Sequence, residues 1–451
     1  MREIENLFKE GLFEDIAKRA EEFAKSDDFR VLEMVGRSFL KLNRFKEAGL
    51  YFQKALKLNP SSFVSLFNLA GINFMFGDFK ESIKLFEKTL AISPLNFEIY
   101  YNIGVVYQEM NLFKKAKRYY MKALKLNPED ISSLYNLSLI FLTQGDYQKG
   151  FDYYRYRYHP KLKNRQTNII SYEKLLKKGD DFKDKRIFIY REQGLGDMIQ
   201  FIRFLPLFSE KASKITLSMP KPLLRLFKYN FGSLNVSFEE EMADFDYHFP
   251  LMEAAFILNL QKENIPFRDS YLRVDLKDSL EYKKRFIKDS SKLKVGIVWR
   301  TNLLDSEDIV TKIRSKSKRE IPLDQFVKYL DFKDIELFSL QKNETKEEKQ
   351  FLKSKNIVSL DDTLKDFYDT ALAIDNLDMV VSIDTSVVHL SGAMGKKTFV
   401  PLPFNNDWRW GEGEGRSNWY ESVSLFRQDE NRDWNKPLGE IRDKLEEILK
   451  R

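Results

Sequence analysis

The sequence contains no cysteine. That excludes disulfides, thiolate metal sites and cysteine nucleophiles, and it fits a reducing, cytoplasmic compartment. Histidine is scarce: His159, His248 and His389 are the three in 451 residues, too scattered in sequence for a histidine-based metal centre. No run approaches the roughly 18 apolar residues that cross a bilayer, so no membrane span is expected. The opening MREIENLFKEGLFEDIAKRA lacks the apolar stretch of a signal peptide. Segregated charge is missing too. The 75 Lys and Arg are mixed with 68 Asp and Glu, for a net charge of +7. That surplus suits a nucleic-acid binder or a protein handling anionic diphosphates, and the mixing of acids among the bases argues against one dominant basic face.

What is present is 43% hydrophobic residues in a chain long enough for two or three domains. The first third repeats itself. Pro60, Pro94 and Pro128 follow the related phrases FQKALKLNP, FEKTLAISP and YMKALKLNP at a period of 34 residues. Gly36, Ala48, Gly104 and Ala116 supply small residues that let paired helices approach, and each proline ends a second helix. The unit from 131 to 164 keeps the turn Gly145-Asp146-Tyr147 and then drifts, as expected of a cap. The segment around Phe13, Ala17 and Ala20 reads as a degenerate first unit. This pattern resembles the tetratricopeptide-repeat family and predicts an α-solenoid over residues 1–160. Such an array presents a groove for a peptide or protein, or serves as a scaffold. Phe67, Tyr101 and Tyr135 recur at the same period and face either groove or core.

Residues 161–184 read as a polar connector. Strand and helix patterns then alternate, beginning with KRIFIY and restarting at LKVGIVWRTN, which predicts two α/β lobes. After the first strand, Gly194 and Gly196 make a tight turn and Asp197 opens a helix. A third glycine is missing, since Ile199 stands in its place, so the turn is a weak dinucleotide signal. Asp197 is either a helix cap or a general base at the strand's carboxyl edge.

In the second lobe, Gln341 and Lys342 end a strand. Asp384-Thr385-Ser386 then opens a helix whose free N–H groups form an anion site or are merely capped. Arg319 ends a basic loop on the same expected side. With Lys342 it would stabilise a leaving diphosphate. His389 inside the helix either binds a ligand or satisfies a neighbour. Asp361-Asp362 is a turn pair or, less favoured, a metal pair. The run DWRWGEGEGRSNWY is a substrate-facing loop or an aromatic cluster.

From about Lys185 to Trp434, the string REQGLGDMIQFIRFLPL, VGIVWRTN, SLQK, DFYDTALAIDNLDMVVSIDTSVVHLSGAMGK, PLPFNNDWRW and SNWYESVSLFRQ resembles bacterial proteins that fuse tetratricopeptide repeats to a glycosyltransferase domain. That domain is similar to the ADP-heptose heptosyltransferase family. The resemblance implies a GT-B fold of two Rossmann-like lobes, 185–290 on the acceptor side and 291–451 on the nucleotide-sugar side. It implies inversion at the anomeric carbon, with no cofactor and no required metal. Asp197 falls on the proposed base, with Gly196 in the same turn. Asp384, Thr385, Ser386 and His389 fall at the donor's diphosphate and sugar. Arg319 resembles a phosphate ligand before a Trp-Pro pair, with Ile321 replacing the tryptophan. Ser386 stands where the family commonly has glycine. By architecture the array is similar to O-linked N-acetylglucosamine transferases, which implies a Ser/Thr protein acceptor. A non-catalytic interaction protein with a degenerate nucleotide-sugar-binding half is the alternative.

Overall fold

A computed structural model of the chain describes residues 1–162, 169–239, 242, 244–287, 291–301, 320–413 and 415–450. The chain divides into two compact units, Met1–Ile140 and Phe141–Arg451. Residues 141–160, read in the sequence with the array, are thus grouped with the α/β half.

The first unit is built of helical hairpins. Phe29–Lys41 pairs with Phe45–Leu58, Phe63–Met75 with Phe79–Ile92, and Phe97–Glu109 with Phe113–Leu126. First helices open at residues 29, 63, 97 and 131, so the 34-residue period is carried intact into three dimensions. Caps come from the sequence: Asp28, Ser62, Asp78 and Asn96 each accept a hydrogen bond from a backbone N–H in the following first turn. The core aromatics Phe52, Phe86 and Tyr120 recur at that period and are buried. Phe67 and Tyr101 are half-buried and pack on Phe86 and Tyr120, with ring centroids 5.6 and 5.9 Å apart.

The second unit holds two wholly parallel sheets. The first contains β1 (Arg186–Tyr190), β2 (Lys214–Ser218), β3 (Val236–Glu239) and β4 (Tyr247–Pro250) in the order β3-β2-β1-β4. The second contains β5 (Leu293–Val298), β6 (Ile335–Ser339), β7 (Val358–Ser359), β8 (Met379–Ser382), β9 (Thr398–Leu402) and β10 (Val423–Arg427), in the order β10-β9-β8-β5-β6-β7. Central strands such as RIFIY and MVVS are almost continuously apolar and buried, as strands of parallel sheets are. Strand order reverses between β1 and β4 and between β5 and β8. Parallel sheets open their ligand crevices at such points.

Part of the predicted connector is structural. Leu175, Leu176 and Phe182 are buried, and Lys174 and Leu176 exchange backbone hydrogen bonds with His248 at the edge of β4.

Two helical glycines give a paired test. A methyl at Gly104 would stand 2.6 Å from Cε1 of Tyr120, whereas one at Gly71 meets nothing within 4 Å. Overpacking costs about 1–3 kcal/mol, and replacing a helical glycine returns up to about 1 kcal/mol. Chemical unfolding should therefore find Gly104→Ala destabilised by about 1 kcal/mol and Gly71→Ala neutral or stabilised.

Candidate functional site

Both switch points deliver a helix to one place. After β1, Gly194 caps the helix Leu195–Phe201, and after β8, Thr385 caps the helix Ser386–Ala393. The two helices pack together. They approach tightly at Gly196: a Cβ there would lie 2.8 Å from Cδ2 of His389 and 3.4 Å from Cα of Ser386. Glycine is needed at this position for room, since its φ lies outside the left-handed region. Gly196, Asp197, Thr385, Ser386 and His389, singled out separately in sequence, are therefore neighbours.

Asp197 satisfies its own helix start, accepting the Gly194 N–H on Oδ2 at 2.8 Å. Its other oxygen pairs with the Arg409 guanidinium. Arg409 is buried, stacks over Trp408 at 4.4 Å, donates to Asp407 at 2.8 Å and reaches Oε1 of Gln193 at 3.3 Å. Burial raises the Asp197 carboxyl above the usual aspartate range, against the opposing pull of Arg409. The sequence held out two roles for Asp197. The capping contact is present, and the carboxylate also lies at the meeting of the two helix starts.

Thr385 accepts the Val387 N–H at 3.3 Å and lies 3.2 Å from the Ser382 hydroxyl. Ser386 begins the helix, and Asp384 is half-buried at the end of β8. His389 is buried, stacked on Trp410 with centroids 5.2 Å apart, and its Nδ1 is 3.0 Å from the Tyr420 hydroxyl. Burial, with Arg409 nearby, pushes its pKa down to about 3, so the ring is neutral at pH 7.

Gln341 and Lys342 have partners elsewhere. Gln341 is buried and accepts the Arg300 N–H at 3.2 Å. Lys342 donates to the Asp361 carbonyl at 2.7 Å and pairs with its carboxylate at 3.1 Å. Asp361 also accepts the N–H groups of Asn343 and Glu344. Burial opposes its charge, but Lys342 and these N–H groups outweigh it and hold the carboxyl below its usual range. Arg319 lies outside the described residues. Among the described residues, no group of three or more His, Cys, Asp or Glu is placed to hold a metal ion.

The sequence did not single out Arg409 or the residues behind it. Arg157 is buried between Glu192, at the end of β1, and Glu253, just after β4, at 2.5 and 3.2 Å. Arg155 donates to Glu253 at 2.6 Å. Tyr147, Phe151 and Tyr154 pack on Phe201, Trp408 and Trp419. The tryptophan-rich run is therefore a buried aromatic cluster, the second of its two sequence readings.

Models of the tetratricopeptide repeat match residues 13–97, 97–130 and 119–151. The first third of this chain is a tetratricopeptide-repeat array. Protein FlbA of Caulobacter vibrioides is 24% identical over 294 residues, covering 60% of this chain and 48% of FlbA. The chain thus spans about half the length of this curated relative. Because the repeat models end at residue 151, part of that match lies in the α/β half. Solved structures with similarity include MamA from Desulfovibrio magneticus RS-1, with a TM-score of 0.31 and 20% identity over 34% of this chain and 87% of that one. YrrB, described as a tetratricopeptide-repeat protein with an unusual peptide-binding site, gives 0.27 and 20% over 31% and 72%.

The Glu192 carboxyl offers a pH test. Burial raises it from 4.5 to about 6, against the pull of Arg157. A group raised on folding stabilises most below its unfolded value, and that contribution is lost as pH rises through the folded value. The unfolding free energy of the wild type, relative to Glu192→Gln, should fall by roughly 2 kcal/mol from below pH 4.5 to above about pH 6. A pH-independent difference would show that Glu192 is not perturbed.

Proposed function

We propose that the α/β half is a GT-B glycosyltransferase that transfers a sugar from a nucleotide-sugar donor to an acceptor hydroxyl, and that the repeat array presents a protein or peptide carrying that hydroxyl. The observation that supports this reading most is the closeness of Gly196-Asp197 to the helix start at Thr385–Ser386. A proton acceptor and an anion-binding helix terminus then flank one position. In this scheme Asp197 takes the acceptor proton and the acceptor oxygen bonds to the anomeric carbon. The bond from that carbon to the diphosphate oxygen breaks. The departing charge is answered by the N–H groups at Ser386 and beyond. A carboxylate raised by burial is a stronger base when ionised, and Arg409 pulls against that rise. Lys342, tied to Asp361, is left out of this step.

One observation favours a second reading, an interaction protein whose α/β half binds nucleotide sugars without turnover. Arg409 and the Gly194 N–H already engage both oxygens of Asp197. Calorimetric titration with UDP and other nucleoside diphosphates, followed by assays on nucleotide sugars with peptide acceptors, separates the two. Under the transferase reading Asp197→Asn abolishes transfer, a loss of about 10² or more, and leaves diphosphate affinity unchanged. Binding without turnover by the wild type would establish the second reading.

A further inference from the structure

Tyr154 occupies the repeat offset of the core aromatics Phe52, Phe86 and Tyr120. In the third hairpin the Tyr120 hydroxyl donates to Gln108 at 2.7 Å and accepts from Asn136 at 3.1 Å. In the fourth, the Tyr154 hydroxyl instead accepts from Nε2 of Gln193 at 2.8 Å. Gln193 is held at φ 57°, a left-handed conformation that costs a non-glycine residue of order 1 kcal/mol and concentrates at functional sites. Its Oε1 receives Arg409, and Arg409 pairs with Asp197. The contacts run without a break from Tyr154 to Gln193 to Arg409 to Asp197.

We propose that Tyr154, Gln193 and Arg409 are positioning residues that fix the orientation and charge of Asp197, so that a helix inherited from the repeat pattern completes the site. This rests on Asp197 being the proton acceptor of the proposed transferase. Arg409 aims one carboxylate oxygen. Gln193, anchored by the buried Tyr154, keeps the guanidinium from swinging to Asp407 alone, which it also contacts. Several groups face Asp197 or its partner. They are Arg409 and Asp407 from the loop after β9, Glu192 from the end of β1, neutral His389 from the helix after β8, and Tyr154 through Arg409. Arg409 is the cation paired directly with the carboxylate.

The test uses the whole chain and two readouts. The stability difference between a background and the same background carrying Asp197→Asn, followed against pH, reports the Asp197 titration without needing activity. Gln193→Leu and Tyr154→Phe keep both charges and should fold. Each should move that titration to higher pH, because the carboxylate is less well held. Each should lower kcat about tenfold with donor KM unchanged. Arg409→Met should move the titration further, and Arg409→Lys should partly restore it. If Arg409→Met does not fold, the Gln193 and Tyr154 variants decide. An unmoved titration in both overturns the inference, whatever the activity. A titration moved in both variants, with a wild type that turns over no donor, would retain the positioning residues and overturn the transferase reading instead.

Discussion

Asp197 and Arg409 carry opposite charges into a place that water barely reaches, and the surrounding half of the molecule is arranged to meet that cost. Desolvating two ions is expensive, and their attraction repays it only with good geometry and further hydrogen bonds. The further bonds are present. Gly194 donates to Asp197, Asp407 and Gln193 accept from Arg409, and Trp408 lies beneath the guanidinium. Such a pair is weak evidence for stability. It does join the turn after β1 to the loop after β9, and so ties the first sheet's switch point to the second lobe. Gly196 makes the junction possible sterically, because a side chain there would push Ser386 and His389 away.

The repeat was legible because its information is local. A 34-residue period, a small residue facing an aromatic, and a proline after each second helix are all statements about near neighbours in sequence. The parallel sheets were legible for a similar reason: buried strands read as apolar runs, and glycine turns lead from them into helices. Gly196, Asp197, Thr385 and Ser386 could be picked out because each sits at a strand-to-helix turn, where α/β folds gather ligands, and His389 because it lies in the helix that one of these turns opens.

Arg409 was not legible, and the reason is physical. It meets Asp197 across 212 residues of sequence, and no periodicity links a loop after β9 to a turn after β1. The tryptophans around it show no helical or strand period, so the run read equally as a substrate-facing loop or an aromatic cluster, and its aromatic partners on the Tyr147–Tyr154 helix and at Phe201 make it the cluster. Lys342 is a different case. Its position at the end of β6 suggested a cation for a diphosphate, and the structure adds a partner the sequence did not name, the Asp361 carboxylate across from it. A strand's carboxyl end selects a neighbourhood, and only the loops decide which partners are found there.

The fourth hairpin shows how a repeat can be turned to another use. In a solenoid each hairpin buries its face on the next, and the last has an uncovered face that a cap or another domain must answer. Gly150, where earlier units have Ala48, Ser82 and Ala116, leaves space that Leu142 fills, with Cδ2 only 2.5 Å from where a Cβ would stand. Beyond it the helix carries Tyr154, Arg155, Arg157 and Tyr158, whose partners Gln193, Glu192 and Glu253 lie at the ends of β1 and β4. Burying Arg157 without Glu192 and Glu253 would strand a charge, and burying the two carboxylates without Arg157 would strand Glu192 and leave Glu253 with Arg155 alone. The helix and the strand ends therefore specify each other's register. This is a stricter requirement than covering an apolar face, which any amphipathic helix would meet.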